Sequence, residues 1–290
     1  MTFTSLLLVV LAAFIHAGWN LLAKRAAPVG PVFVFAYNLV SCVAYAPWVV
    51  MILVRGTIDW GWAGAGFVIL SGLIHLAYSL FLQRGYQVAD LSVVYPVARG
   101  TGPLLSSFGA FLFLGESPTG PGLAGLGLVI IGIGLIATGG KLSAFRRPGG
   151  QAGLLWGVPT GGLIASYTVV DAYAVKALGI APVVLDWFSN LLRFFLLLPL
   201  VAANPRRALA RMKGYWWVAV CVGLLSPLSY ILVLAALTSG APLSLVAPMR
   251  EMSMMVGALM GMLILREAVG PSRLTGCAIL VAGVILLSVA

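Results

Sequence analysis

The sequence has very few charged residues. Only 8% of its 290 residues are Asp, Glu, Lys or Arg, whereas 61% are hydrophobic. A water-soluble domain of this length has roughly 25% charged residues, which keep it dispersed. The composition therefore argues against a soluble domain and places most of the chain in lipid. Backbone N–H and C=O groups find no water in lipid, so only helices or closed barrels can span a membrane.

Acidic residues, histidine and cysteine are the scarcest reactive types, at seven, two and three residues. Cys42, Cys221 and Cys277 lie in apolar runs without the spacing of metal ligands, so we expect packing roles and neither a metal nor a cofactor. Lysine and arginine are in excess and give a net charge of +10. They lie in short loops rather than in one stripe, which argues against nucleic-acid binding and indicates a topology signal.

Long apolar runs dominate the chain. A transmembrane helix needs about 20 apolar residues, whereas barrel strands read as alternations of about ten residues. The first run lacks the basic segment and cleavage site of a signal peptide, so we expect it to be retained as a helix. We predict an all-α integral membrane protein with ten transmembrane helices, at residues 3–23, 30–53, 62–83, 90–114, 119–139, 152–171, 182–203, 214–237, 241–265 and 270–289.

The loops between these runs differ in charge. Alternate loops place twelve basic residues on one face, whereas the other face has only Arg55 and Lys176. Lysine and arginine concentrate in cytoplasmic loops. We therefore predict a multi-pass protein of a bacterial inner membrane with both termini in the periplasm.

The two halves of the chain share a spaced pattern of residues. Tyr78 matches Tyr230 at an offset of 152 residues, and Glu116 matches Glu267 at an offset of 151. Each half holds five spans, an odd number, so the halves enter the membrane in opposite senses. Inverted repeats are typical of secondary transporters, with the substrate site between the halves near the midplane. We predict two inverted five-helix repeats, at residues 1–140 and 152–290, joined by a cytoplasmic linker at 141–151.

Each half also carries a Ser-x-x-x-Pro segment, at Ser92–Pro96 and Ser244–Pro248, then an acidic residue, Glu116 or Glu267, and a Gly-rich closing helix. This twin pattern resembles the EamA family of the drug/metabolite transporter superfamily over essentially the whole chain, and within it the bacterial amino-acid exporters of the YddG type. The resemblance implies ten helices around a central cavity and export of neutral or aromatic amino acids. One departure is that Glu267 follows Arg266 rather than a glycine.

Charged residues within the apolar runs are costly and usually face protein or a water-filled cavity. Arg99 and the Arg250-Glu251 pair follow Pro96 and Pro248 at near-equivalent positions. One interpretation is that Arg99 attracts a substrate carboxylate, while Glu251 balances it or binds an amino group. The alternative is that Arg99 or Arg250 pairs with Glu251 only to hold the helices together.

Other polar and aromatic residues follow helical spacing on several spans, and we expect them to form a cavity with aromatic walls. The candidate substrate-binding residues are His16, Trp19, Asn20, His75, Tyr78, Ser79, Tyr95, Arg99, Tyr167, Tyr230, Ser244 and Glu251. His16 and His75 are also candidate proton carriers, because imidazole ordinarily titrates near neutral pH. Asp171 and Asp186 fall near predicted helix ends, which favours a capping role or a place at the cavity mouth.

Proline within a helix removes one backbone hydrogen bond and creates a weak point. The candidate hinges are Pro96, Gly102, Pro103, Pro227 and Pro248, with a static kink as the alternative. The main functional hypothesis is a monomeric carrier that exports one small molecule, a neutral or aromatic amino acid, by alternating access. A carrier of another metabolite or drug class, an intramembrane enzyme using Asp171 with Asp186, and a scaffold or sensor are the alternatives.

Overall fold

The computed structural model describes residues 1–56, 61–88, 91–140, 143, 148–264 and 270–290. These residues form twelve α-helices and one 3-10 turn, and they contain no strand, so the all-α prediction is confirmed. The helices are α1 (Phe3–Arg25), α2 (Pro31–Val54), α3 (Gly61–Val88), α4 (Leu91–Phe113), α5 (Gly120–Thr138), α6 (Pro148–Lys176), α7 (Pro182–Ala202), α8 (Pro205–Met212), α9 (Trp216–Thr238), α10 (Leu243–Met249), α11 (Met252–Ile264) and α12 (Pro271–Ser288).

Each predicted apolar run contains a helix, but three details differ from the prediction. The ninth run is interrupted at Arg250 and Glu251, which separate α10 from α11. The basic segment after α7 forms the short helix α8, because Asn204 caps it by accepting a hydrogen bond from the backbone N–H of Arg207. Helix α6 begins at Pro148, so the end of the predicted linker is helical. Residues 141–142 and 144–147 of that linker lie outside the described residues.

Eight of the described helices are long and apolar enough to cross a membrane. The chain is therefore a multi-pass membrane protein, while the predicted number of ten spans stays a prediction. Helix α4 is not among the eight because Arg99 and several Gly, Ser, Thr and Pro residues lower its hydropathy. The ninth run is not among them because its helix is broken in the middle.

The largest helix contacts join the first part of the chain to the second. Helix α1 packs against α9, and α6 packs against α3 and α4. Helices α2 and α7 pack together, as do α5 and α12. The main hydrophobic core therefore lies between the two parts of the chain and includes Val9, Leu185, Leu237 and Leu280.

Glycines let two of these helix pairs approach at backbone distance. In the α5–α12 pair, a Cβ atom at Gly132 would lie 2.8 Å from the carbonyl oxygen of Gly276. In the α4–α6 pair, a Cβ atom at Gly153 would lie 2.6 Å from Val93, and one at Gly157 would lie 2.8 Å from Val97. These glycines therefore serve close helix packing.

We expect Gly132→Ala to destabilise the protein by about 1–3 kcal/mol, because the added methyl group must push backbone atoms of α12 away. The measurement is the midpoint of thermal unfolding in detergent, with Gly134→Ala as the matched control. Nothing lies within 4 Å of a Cβ atom at Gly134, so that variant should match the parent protein. Equal midpoints for all three proteins would contradict the close approach.

Candidate functional site

Three charged side chains meet between α4 and the break that separates α10 from α11. Arg99 Nε lies 2.7 Å from Glu251 Oε2, and Arg250 Nε lies 3.9 Å from Glu251 Oε1. Arg99 also donates a hydrogen bond of 2.7 Å from Nη2 to Ser253 Oγ. We call Arg99, Arg250 and Glu251 the ion cluster. All three residues are more than nine-tenths buried, so two guanidinium groups share one carboxylate away from solvent.

The helix break at the ion cluster has a local cause. Pro248 has no N–H group, so it cannot bond to the carbonyl oxygen of Ser244 one turn earlier. Ser107 of α4 donates to that oxygen instead, at 3.2 Å. In the same way Pro227 leaves the carbonyl oxygen of Gly223 unbonded within α9, and Ser41 of α2 donates to it at 2.8 Å. Both oxygens are thus engaged by side chains from elsewhere in the chain rather than left for a ligand.

The predicted hinges therefore differ from one another. Helices α4 and α9 run without interruption through Pro96, Pro103 and Pro227, whereas the chain breaks two residues after Pro248. Gly102 lies in close contact with α6, since a Cβ atom there would lie 2.8 Å from Ile164. Movement at these positions stays a prediction.

Helix α1 forms one side of the ion cluster. His16 Nε2 lies 3.3 Å from Arg99 Nη1, and because arginine can only donate, this nitrogen is the acceptor. The His16 ring meets the edge of Trp19 at a centroid distance of 4.8 Å. Trp19 Nε1 donates to Ser229 Oγ at 3.1 Å, which holds α1 against α9.

Four aromatic rings form a second group beside the ion cluster. Tyr167 stacks on His75 at 4.0 Å and meets Tyr78 and Tyr230 edge-on at 5.5 and 6.0 Å. We call His75, Tyr78, Tyr167 and Tyr230 the aromatic wall. Ala98, which precedes Arg99 in α4, packs with Tyr78, Tyr167 and Tyr230, so the wall adjoins the ion cluster.

Tyr95 lies on the same helix as Arg99 and also touches it, since the Arg99 guanidinium carbon lies 5.8 Å from the centre of the Tyr95 ring. A cation over an aromatic face is attracted by the ring quadrupole. Eight of the predicted residues are therefore brought together: His16, Trp19, His75, Tyr78, Tyr95, Arg99, Tyr167 and Tyr230, with Glu251 joining them through Arg99.

Three other predicted residues form local bonds. Asn20 donates to the carbonyl oxygen of His16, and Ser79 donates to that of His75, each at 2.8 Å within its own helix. Ser244 lies at the start of α10, where its backbone N–H bonds to Glu116. Their part in substrate binding stays a prediction.

Asp186 lies in the second turn of α7, near the helix start as predicted, whereas Asp171 lies within α6, and neither carboxyl group is at an exposed cavity mouth. Asp171 is fully buried and Asp186 is 7% exposed. Asp171 Oδ2 accepts a hydrogen bond of 2.5 Å from Tyr230 and lies 3.8 Å from His75 Nε2. The sequence placed Asp171 at a helix end because the predicted sixth run ends there, whereas α6 continues to Lys176.

Sequence reasoning also missed a buried polar network on α7. Arg193 Nη2 donates to Asn190 Oδ1 at 2.7 Å, and Asn190 Nδ2 donates to Asp186 Oδ2 at 2.8 Å. The available signal was an arginine in the middle of an apolar run, three residues after Asn190. All of these hydrogen bonds lie within α7. We therefore assign the network to stabilising α7 and not to the ion cluster.

A separate ionic contact closes the end of the molecule where α4 ends and α10 begins. Glu116 accepts hydrogen bonds from the backbone N–H groups of Leu243 and Ser244 at 2.7 and 2.9 Å. Lys176 Nζ lies 3.1 Å from Glu116 Oε1. We call Glu116, Lys176, Leu243 and Ser244 the Glu116 latch. Glu267, the proposed repeat partner of Glu116, lies outside the described residues.

The contacts of the Glu116 latch favour the charged form of the Glu116 carboxyl. Burial acts to raise the pKa of the Glu116 carboxyl, but hydrogen bonds from Ser244 and Leu243 together with the Lys176 ammonium outweigh it, and the net effect lowers the pKa. A carboxyl whose pKa is lowered by folding stabilises the protein at neutral pH, and that contribution disappears as the pH falls through the lowered pKa.

We expect Glu251→Gln to destabilise the protein by about 3–5 kcal/mol, because it leaves two buried guanidinium groups without a counter-charge. The measurement is again the thermal unfolding midpoint in detergent. Ser253→Ala is the control, since it removes one hydrogen bond to Arg99 but no charge. Adding Arg99→Gln to Glu251→Gln should restore part of the lost stability, and a further additive loss would show that the two charges do not interact.

We expect Glu116→Gln to lower the free energy of unfolding by about 1–3 kcal/mol at pH 7, because it removes the charge that accepts two backbone N–H groups and pairs with Lys176. The difference from the parent protein should shrink as the pH falls from the ordinary pKa of glutamate through the lowered pKa of Glu116, where the parent Glu116 also becomes protonated. Arg55→Gln, at an exposed position, serves as the control for removal of one charge. A difference that is unchanged between pH 7 and acid would contradict the assignment.

Comparison with known proteins agrees with this architecture. Residues 3–138 match the EamA-like transporter family. One crystal structure matches 100% of this chain and 98% of its own chain with a TM-score of 0.76 and 17% identity, which shows a shared fold and nothing further. The family match covers the first part of the chain and agrees with the resemblance seen in the sequence.

Proposed function

We propose that the chain is a secondary transporter that exports neutral or aromatic amino acids across a bacterial inner membrane by alternating access. It works as a monomer and needs no cofactor. One observation carries this proposal: the ion cluster holds two positive charges and one negative charge beside the aromatic wall. The resemblance of the chain's sequence to YddG-type exporters points to the same substrate class.

The charge of the ion cluster favours a carboxylate ligand. Arg99 is engaged by Glu251 and Ser253, whereas Arg250 has only the longer contact of 3.9 Å with Glu251. Among the described residues no second carboxylate lies within salt-bridge distance of Arg250. A buried cation without a counter-charge is costly, so an incoming carboxylate is attracted. Guanidinium groups bind carboxylates through two parallel hydrogen bonds, which would orient the substrate.

The aromatic wall favours an apolar or aromatic substrate side chain. Its rings present faces and edges that pack well against another ring. A compound with a carboxylate at one end and an aromatic group at the other therefore fits both parts of the site. This combination describes an aromatic amino acid better than it describes a nucleoside or a phosphorylated sugar.

The helix contacts support the proposed inverted repeats and ten spans. If α1 corresponds to α6 and α3 to α9, a two-fold axis converts the α1–α9 contact into the α6–α3 contact, and both contacts occur. The α2–α9 and α7–α3 contacts form a second such pair. Arg99 and Glu251 are themselves separated by the repeat offset of 152 residues. Equivalent residues can touch only near the axis, so their contact supports a substrate site between the halves.

Hydrogen bonds at one end support alternating access. The end that carries the Glu116 latch also has a hydrogen bond of 3.0 Å between Ser5 and Ser239. Lys176 adds a bond of 3.3 Å to the carbonyl oxygen of Ala241. The Ser5–Ser239 bond and the contacts of Glu116 join the two halves and would have to break before a substrate could leave there, whereas the Lys176–Ala241 bond lies within the second half. By the distribution of basic loops this end is periplasmic, so the latch is the proposed outer gate.

The alternative of an intramembrane enzyme has less support. Asp171 bonds to Tyr230 and Asp186 bonds to Asn190, so each carboxylate is engaged by its own partner rather than by the other. A scaffold would not need two guanidinium groups beside an aromatic wall. Other metabolites and drugs remain competitors that the following experiment compares directly.

The test is exchange of labelled L-phenylalanine across liposomes that contain the purified protein. We expect saturable exchange that unlabelled L-phenylalanine inhibits and L-phenylalaninamide, which has no carboxylate, inhibits at least tenfold more weakly. Arg250→Met should reduce exchange at least tenfold, because it removes the carboxylate partner. Arg55→Gln removes an exposed positive charge and should leave exchange unchanged.

The same liposomes can be tested with a nucleoside, a sugar phosphate and a cationic dye. Exchange of one of these without exchange of any amino acid would replace the proposed substrate class. No saturable exchange of any compound would overturn the carrier itself.

A further inference from the structure

Asp171 lies in a site that the carboxylate-binding role of the ion cluster does not explain. Tyr230 of α9 donates to Asp171 Oδ2, and His75 of α3 faces the same oxygen at 3.8 Å. The Ser71 hydroxyl also lies beside this carboxylate. We call Ser71, His75, Asp171 and Tyr230 the Asp171 site. It joins three helices and is fully buried at Asp171.

The hydrogen bonds fix the tautomer of His75. Its Nδ1 lies 3.0 Å from the carbonyl oxygen of Ser71, and a carbonyl oxygen can only accept, so Nδ1 carries the hydrogen. In the neutral ring Nε2 is then bare and presents a lone pair to Asp171 Oδ2. Two lone pairs that face each other repel, so a proton between His75 Nε2 and Asp171 Oδ2 would stabilise this arrangement.

The second oxygen of the carboxylate gives an independent indication of a ligand. Asp171 Oδ1 is buried and meets no donor at hydrogen-bond geometry among the described residues, although the Ser71 hydroxyl lies beside the carboxylate. A buried carboxylate oxygen without a donor is costly. A proton would satisfy it, and so would the ammonium group of an amino acid, which carries three N–H donors.

The surrounding charges do not cancel that of Asp171. From α7, Arg193 acts on both Asp171 and His75, but Asp186 lies beside it and offsets its charge. Arg250 acts on His75 from the end of α10. Among the described residues, the rings of Tyr167 and Tyr230 also pack against His75. Asp171 thus has no cation of its own among these groups, because Arg193 is offset by Asp186 and Arg250 belongs to the ion cluster.

The site is also close to the proposed substrate position. His75 and Tyr230 belong to the aromatic wall, and Arg250 belongs to the ion cluster. Glu251 is already held by Arg99, so it is a poor partner for a substrate ammonium group. An amino acid with its carboxylate at Arg250 would need another carboxylate for its ammonium end, and Asp171 is available.

We propose that the Asp171 carboxylate binds either one proton or the ammonium group of the substrate, never both, so that proton entry drives export. This inference rests on the proposed amino-acid exporter and names its energy source. With the site open to the periplasm, a proton adds to the carboxylate and the ammonium group leaves. With the site open to the cytoplasm, an arriving ammonium group displaces the proton to that side. Each cycle thus exchanges one inward proton for one outward substrate.

The experiment uses the complete chain in liposomes with labelled L-phenylalanine outside and a lumen one pH unit more acidic than the outside. We expect the parent protein to accumulate substrate by up to about tenfold, the thermodynamic limit for one proton per substrate. Asp171→Asn cannot exchange a proton, so it should still equilibrate L-phenylalanine at high concentration but should not accumulate it. Tyr173→Phe, on the same helix and stacked on Phe67, should accumulate substrate like the parent.

A direct proton measurement accompanies transport. When L-phenylalanine binds the detergent-purified parent in weak buffer, an indicator dye should report about one proton released per substrate, and Asp171→Asn should release none. Tyr230→Phe removes the donor that favours the charged carboxylate, so its half-maximal release should move to higher pH. This variant keeps the proposal testable if Asp171→Asn does not fold.

The outcomes are distinct. Accumulation or proton release by folded Asp171→Asn equal to that of the parent overturns the proposal. Exchange by the parent that is indifferent to the pH gradient and releases no proton also overturns it, while leaving the exporter intact. An absence of any exchange by the parent instead overturns the proposed function on which the proposal rests.

Discussion

A charge buried at membrane depth must have a partner, because lipid cannot solvate it, and this constraint organises the centre of the molecule. Arg99 on α4 is held by Glu251 at the break of the ninth apolar run, at a distance of 2.7 Å. That contact fixes α4 against α10 and α11 and leaves the neighbouring Arg250 with a longer contact to the same carboxylate. The interface between the two parts of the chain is therefore charged at the ion cluster, whereas the hydrophobic core around it is aliphatic.

The prolines contribute to this organisation through the backbone groups that they leave unbonded. Ser107 engages the carbonyl oxygen freed by Pro248, and Ser41 engages the one freed by Pro227. A proline kink in lipid is tolerable only when another group satisfies the exposed oxygen. Each kink is thereby tied to a helix from the other part of the chain. Bending at such a point would require that bond to break, which couples local bending to movement between the two parts.

Much of the fold could be predicted from the sequence, and the reason is local. A run of about 20 apolar residues is a sufficient signal for a membrane helix, and charges or prolines mark its ends. The sequence marked Pro248 as a weak point but could not predict that the helix breaks there, because helices α4 and α9 continue through Pro96, Pro103 and Pro227. It also placed Asp171 at a helix end, since hydropathy counts a carboxylate against a span even where a tyrosine on another helix binds it. Arg193 was missed for the opposite reason, because a single arginine does not interrupt a strongly apolar run.

The sequence by itself determined the all-α class and the positions of the apolar helices, because these depend on composition and on spacing along one helix. Only the tertiary structure decided which polar groups meet. Arg99 and Glu251 are 152 residues apart, and whether they touch depends on how α4 and the ninth run rotate and cross. The same holds for Asp171, His75 and Tyr230, which lie on three helices. Their separations are set by packing, and no periodicity within one helix contains that information.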